Sequence, residues 1–401
     1  PSRHSQPHTL TRSRPAPERE ARPGPRPGTT CTEKSDWYHC TLAVRVRDYR
    51  TGRWISRAQA SDQYDLPVEM YYPKGADGPV GVLLYGHGLS SDTGEADYVA
   101  SRLTGIDYAI LASPAPKHGN HPSREDPDDV AALNYLGIDL SVLKIDALTM
   151  RGHFNQTNME RLQLLELVRS STHLPGNPSF LIDPDLTVYF GVSLGGILGT
   201  GLLALDNALS GAVLSVAGGE LIKFATDTPA VDPFRPALIN IFGSTAQFER
   251  ILPVAQTLVD AADPVTLAAS ALHDRRIGPS HTPNVLLPVA VYDDVVPPST
   301  GRALARALKL PHIEPVSVPV SGLLEAAAPA IGNGPGGTST LGYFQFDRVP
   351  GGNGVVAADH INTPTSDLAL QQLRVFLESI KAGGPAVIIN PYDGQNVPPL
   401  P

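Results

Sequence analysis

The segment LTVYFGVSLGGILGTGLLAL, residues 186–205, restricts the fold of this chain more than any other. Its opening run, LTVYF, is short, apolar and rich in β-branched and aromatic side chains, which reads as a strand buried on both faces. Its closing run, ILGTGLLAL, is small and helix-compatible. A chain that passes from one to the other through Gly191-Val192-Ser193-Leu194-Gly195-Gly196 must turn sharply, and the flanking glycines remove the Cβ atoms that would crowd such a turn. The turn lifts the Ser193 hydroxyl above the sheet and aims the first N–H groups of the helix at any anion formed there. The G-x-S-x-G pattern alone is weak; its place between a strand and a helix gives it meaning.

The rest of the chain repeats this rhythm. Residues 42–48 (LAVRVRD), a turn-like RTGR at 50–53 and residues 66–72 (LPVEMYY) predict an antiparallel start to a sheet. Apolar runs at 80–85, 108–112, 186–190, 212–217 and 285–292 then suit a parallel sheet, and helical stretches at 96–103, 158–170 and 368–381 lie among them. The expected fold class is therefore α/β, with a mostly parallel central sheet and antiparallel N-terminal strands. Residues 31–219 and 285–401 would form the core. Residues 220–284, helix-prone and interrupted by proline, are too long for a simple connection and predict a helical cap or lid over the strand ends. Residues 328–356, rich in Gly and Pro, predict a long ordered loop whose Tyr343, Phe344 and Phe346 pack locally.

A serine hydroxyl needs a base and a group that orients the base, and for this turn the chain order should be Ser, acid, His. The run VLLPVAVY leads directly into Asp293-Asp294, so Asp293, first off the strand end, is the candidate acid, with Asp294 the alternative. Of 12 histidines, only His312 and His360 follow it. His312 opens an expected strand at 313–320, the wrong end of the sheet. His360, in VVAADHINTPTS, lies in a loop after that strand and before the last amphipathic helix, and is the candidate base. An oxyanion hole needs backbone donors; VGVLLYGHGL supplies the Leu89 N–H after His87-Gly88, and the turn supplies the Leu194 N–H. His87 reads as a residue that braces the loop. His118, His121, Glu125, Asp126, Asp128 and Asp129 have irregular spacing in a Pro-rich loop and read as solvated surface, so no metal is expected there, and acyl transfer by a serine implies no organic cofactor.

The formal net charge of -9 argues against a nucleic-acid partner, whose phosphates would need a basic face. Residues 1–30 carry six Arg against two Glu and seven Pro, which predicts a disordered basic tail. No apolar run is long enough to span a bilayer. The two cysteines, Cys31 and Cys40, enclose a short loop and predict a disulfide, hence an oxidising compartment. With no initial Met and no signal-peptide core, the sequence suits a trimmed, secreted product, associated with a cell surface if the basic tail acts as a tether. Nothing in the sequence fixes an oligomeric state.

In these motifs the chain resembles the α/β-hydrolase superfamily from about residue 41 to 385, with VLLYGHGLSSD, TVYFGVSLGG, AVYDDVVPP and AADH in that superfamily's order. Within it, MRGHFNQTNMERLQLLELVR is similar to a segment that precedes the nucleophile strand in bacterial secreted lipases and carboxylesterases. The resemblance implies a Ser193–Asp293–His360 triad, oxyanion donors at Leu89 and Leu194, a cap at 220–284 and hydrolysis of ester or lipid substrates through an acyl-enzyme. It departs from many lipases in Val192, where they carry His, and in the long segment between Asp293 and His360. A serine peptidase of the same fold usually adds a large domain that this chain lacks the residues to build. An acyltransferase and a non-catalytic surface-binding protein of this fold complete the range of functions that the resemblance allows.

Overall fold

The computed structural model describes residues 29–49, 62–124, 130–139, 142, 144–275, 277 and 282–400. Most of the expected basic tail, the RTGR turn and the acidic residues 125–129 lie outside these residues. An eleven-stranded sheet runs through the molecule. Its strands are β1 (Thr30–Glu33), β2 (Trp37–Arg47), β3 (Gln63–Pro73), β4 (Val80–Gly86), β5 (Tyr108–Ala112), β6 (Ile182–Val192), β7 (Gly211–Ser215), β8 (Asn284–Ala290), β9 (His312–Ile313), β10 (Glu325–Ala326) and β11 (Leu341–Phe346). They lie in the order β1-β2-β3-β5-β4-β6-β7-β8-β11-β9-β10. The first three pair antiparallel, β3 joins β5 antiparallel, and every pairing from β5 onward to β10 is parallel.

The reason is visible in the side chains. β2 alternates buried Leu42, Val44 and Val46 with half-exposed neighbours, as a strand covered on one face must. β4, β5, β7 and β8 are buried at every position, because helices cover both faces of the sheet there. Helices α1 (Glu95–Arg102) and α6 (Asp367–Lys381) pack on one face, in a cluster with Leu83, Ile110, Val188 and Phe344. Helices α2 (Ala147–Arg169), α3 (Leu194–Leu205) and α5 (Pro298–Ala307) pack on the other, with Val82, Leu111, Tyr189 and Leu287. Cys31 and Cys40 face each other in the β1–β2 hairpin and form the expected disulfide.

The chain departs from the sequence expectations in several places. The expected strand at 313–320 is only two residues long, since Pro315 and Pro319 cannot donate to a ladder. The strand that completes the parallel sheet is instead LGYFQF (β11), inside the segment expected to be a loop; Tyr343, Phe344 and Phe346 are core residues. Gly and Pro on either side of it mask a six-residue strand in a composition-based reading. Helix α2 begins at Ala147, capped by Asp146, whose carboxylate accepts from the Leu148 and Thr149 N–H groups, well before the expected residue 158. Within residues 220–284, the stretch from Leu221 to His273 is largely helical, with α4 (Thr245–Val259) as the longest piece. Its last part, Pro264–His273, packs directly on α3 and belongs to the core layer. Asp263 joins the two ends of the excursion: it accepts from Glu220 N–H (3.0 Å), Leu221 N–H (2.6 Å), Val265 N–H (2.9 Å) and the Gln256 amide (2.8 Å).

Candidate active site

The C-terminal ends of the central parallel strands carry the groups that the sequence singled out. Ser193 sits between β6 and α3 with φ +55° and ψ -116°, a strained conformation for a residue with a Cβ. It persists because the turn is locked from all sides. The Ser193 N–H donates to the Ser215 carbonyl (3.0 Å), the Gly195 N–H to the His87 carbonyl (3.0 Å), and the Tyr189 hydroxyl to the Gly195 carbonyl (2.6 Å). Close approach explains the glycines: a Cβ on Gly191 would strike the backbone of Gly195, and one on Gly195 would strike the Gly86 carbonyl.

His360 lies between a hairpin (Arg348–Gly351 with Gly354–Ala357) and a short helical turn, Asn362–Thr365. Its Nε2 is 2.9 Å from Ser193 Oγ and its Nδ1 is 2.8 Å from Asp293 Oδ2. Asp293 is fixed in turn, since its Oδ1 accepts from the N–H groups of Val295 (3.0 Å) and Val296 (2.7 Å). An ionised carboxylate only accepts, so the Nδ1 carries the imidazole proton and Nε2 is free to accept from the Ser193 hydroxyl. Ser193, Asp293 and His360 are each less than a tenth exposed. Asp294 is exposed, and His312 is buried against the Tyr343 ring instead of joining Ser193. Asp293 and His360 are 67 positions apart, and the stretch between them holds α5, β9, β10 and β11, so the long spacing is a strand-rich return to the same end of the sheet.

The backbone donors around Ser193 can be sorted by what they already bond. Those of Ser193 and Gly195 are engaged as described, and the Gly88 N–H donates to Glu95 Oε2 (3.0 Å). Among the described residues, the Leu89 and Leu194 N–H groups donate to no protein acceptor. The loop carrying Leu89 is braced from below. The Ala115 N–H donates to His87 Nε2 (2.9 Å), so His87 Nδ1 carries the proton and donates to the Gly88 carbonyl (2.7 Å). Burial, then the neighbouring His118, hold the His87 pKa down to about 3 and keep this neutral form. The His118 ring places Nε2 2.7 Å from the Leu89 carbonyl and Nδ1 2.9 Å from the Pro116 carbonyl, and burial lowers its pKa although both carbonyls oppose that shift, so the neutral ring donates to one of the two.

His118 and His121 correct the expectation of a solvated cluster: both are buried, and His121 Nε2 faces Glu160 (3.2 Å). The acceptors that bury them, a carbonyl from the 87–89 loop and a carboxylate from α2, are remote in sequence. Glu95, which holds the Gly88 N–H, escaped sequence reading altogether, because nothing but its place at the start of α1 distinguishes it.

No protein-family profile matches this chain, and a search of curated proteins finds no match. Solved structures do resemble it. An acetyl xylan esterase from a Paenibacillus species superposes with a TM-score of 0.55 at 14% identity, covering 88% of each chain. A glucuronoyl esterase from Teredinibacter turnerae gives 0.49 at 14% identity, covering 91% of this chain and 80% of that one. An acetyl xylan esterase from a Thermoanaerobacterium species gives 0.48 at 19%, covering 72% and 80%. At such identities the first of these likenesses is one of fold, and the sheet order and the turn at Ser193 agree with it: the chain has the α/β-hydrolase fold.

Proposed function

We propose that the protein is a serine hydrolase that cleaves carboxylic esters through an acyl-enzyme. The observation that carries the reading is the continuous hydrogen-bond chain from Ser193 through His360 to Asp293, with the serine held at φ +55° on the strand-to-helix turn. In this mechanism His360 Nε2 takes the hydroxyl proton as Ser193 Oγ attacks the ester carbonyl, and Asp293 stabilises the imidazolium. The Leu89 and Leu194 N–H groups, left without protein acceptors, receive the oxyanion. His360 returns the proton to the leaving alcohol, and a water activated by the same imidazole releases the acid. No step calls on a cofactor.

The excursion within residues 220–284 acts as a cap beside this site. In support, the Thr228 hydroxyl donates to the Val295 carbonyl (3.1 Å) and Ser299 bonds Asp227 (3.2 Å), so the cap leans on the loop that carries the acid. Export from the cytoplasm fits the Cys31–Cys40 disulfide, and no described helix is long and apolar enough to cross a membrane. The acetyl ester named for the Paenibacillus protein places short acyl chains first among the substrates to try. The test is hydrolysis of p-nitrophenyl esters from acetyl to palmitoyl by wild type and Ser193→Ala. The reading expects turnover that falls on the order of 10³-fold or more in kcat in the variant; equal turnover by both proteins refutes it.

A further inference from the structure

We infer that Glu95 sets the charge selectivity of this site, disfavouring esters that carry a negative charge close to the scissile carbonyl and favouring cationic ones. The inference rests on the ester-hydrolase reading of Ser193. Glu95 opens α1, and its Oε2 accepts two hydrogen bonds, from the Gly88 N–H (3.0 Å) and the Tyr85 hydroxyl (2.7 Å). These two donors fix the carboxylate against the oxyanion loop. Its other oxygen, Oε1, accepts nothing among the described residues, and no Lys, Arg or His among them forms an ion pair with Glu95.

The direction of that free oxygen can be read from Gly88. A Cβ placed there would stand 3.3 Å from Glu95 Oε1 and 3.7 Å from Ser193 Cβ. Oε1 therefore lies within 7.0 Å, the sum of these distances, of the nucleophile's Cβ. Glu95 is only half-buried, so an ester bound at Ser193 meets an uncompensated carboxylate. Between unit charges at such a range the Coulomb interaction changes a rate ratio by about tenfold at an effective dielectric constant near 40. It is long-range enough to act on either side of the ester and is weakened by salt.

Because Glu95 also braces the loop, its replacement alters all substrates together; only a ratio between substrates isolates the charge. The experiment compares kcat/KM for three p-nitrophenyl esters, neutral (pentanoate), anionic (hemiglutarate) and cationic (4-trimethylammoniobutanoate, whose quaternary nitrogen cannot attack its own ester), in wild type, Glu95→Gln and Glu95→Asp. In Glu95→Gln the anionic-to-neutral ratio is expected to rise about tenfold and the cationic-to-neutral ratio to fall comparably, whereas Glu95→Asp keeps the wild-type ratios. In wild type alone, added salt raises the anionic-to-neutral ratio, so the inference stays testable if a variant fails to fold. Ratios that are unchanged in Glu95→Gln, or in wild type insensitive to salt, overturn the inference while leaving the ester hydrolase intact. Absence of any Ser193-dependent turnover of the neutral ester overturns both.

Discussion

Adding one methyl group at Gly195 should both destabilise the protein and disable it, and the structure gives the size of the effect. Gly195 lies in the first turn of α3, where its Cα faces the end of β4. A Cβ would stand 2.0 Å from the Gly86 carbonyl oxygen and 2.4 Å from its carbon, whereas real Cβ contacts essentially never fall below 3.0 Å. Backbone lies on both sides, so no side chain can yield; helix and strand must separate by at least 1.0 Å, the difference between the found and permitted distances. Overpacking of this kind costs about 1–3 kcal/mol, occasionally more. The same displacement parts the Leu194 N–H, carried by α3, from the Leu89 N–H, which follows β4. A misplacement of about 1 Å at a reacting centre is worth about 10²-fold in rate. Gly152 in α2 is the control, because a Cβ there meets nothing within 4 Å. Gly152→Ala should gain about 0.5–1 kcal/mol from helix propensity and keep its activity. Urea melts and ester kinetics on both variants check the pair. A Gly195→Ala protein with the wild-type midpoint and wild-type kcat/KM would refute this account of the turn.

Three further outcomes are expected. His87 is neutral when folded, with a pKa near 3 against about 6.5 when unfolded, so the unfolded chain binds the extra proton between these values. Its contribution to stability is complete above pH 6.5 and is lost as pH falls toward 3; His87→Gln should flatten the acid limb of a stability–pH curve by about one proton, and an unchanged slope would contradict the buried, neutral state of the folded imidazole. Reduction of Cys31–Cys40, nine apart in sequence, should lower stability by at most about 2.5 kcal/mol on the loop-entropy relation; thiol titration should count none before reduction and two after. Asp263→Ala leaves the Glu220, Leu221 and Val265 N–H groups without their acceptor and should cost about 3 kcal/mol or more in a urea melt, with the 221–259 excursion becoming the first region cut by limited proteolysis.

The sequence disclosed the parts of this fold that follow from local chemistry. Val80–Gly86 and Tyr108–Ala112 were legible because strands buried on both faces must be continuously apolar. The turn at Ser193 was legible because its backbone cannot be built without glycines at 191 and 195. Other features depended on partners far along the chain. The strand Leu341–Phe346 is defined by its pairing with Val285–Ala290, more than fifty residues away, while its own neighbourhood reads as loop. The run after His312 looked like a strand by periodicity, but prolines 315 and 319 withhold the donors that a ladder requires. His118 and His121 looked solvated because the Leu89 carbonyl and Glu160 that receive them lie 29 and 39 residues away. Asp293 and His360 were named from their chain order and their places after a strand end and before a helix. The hydrogen bonds of 2.8 and 2.9 Å that join them to Ser193 are a property of the folded chain.

Covalent labelling tests the central proposal most directly. A fluorophosphonate transfers phosphorus only to a serine made nucleophilic by its neighbours, and peptide mapping by mass spectrometry locates the adduct. One adduct per chain is expected, on the peptide that contains Ser193, and it should be lost in His360→Ala, where Ser193 has no base. An adduct on another serine, or no adduct on the folded wild-type protein, would contradict it.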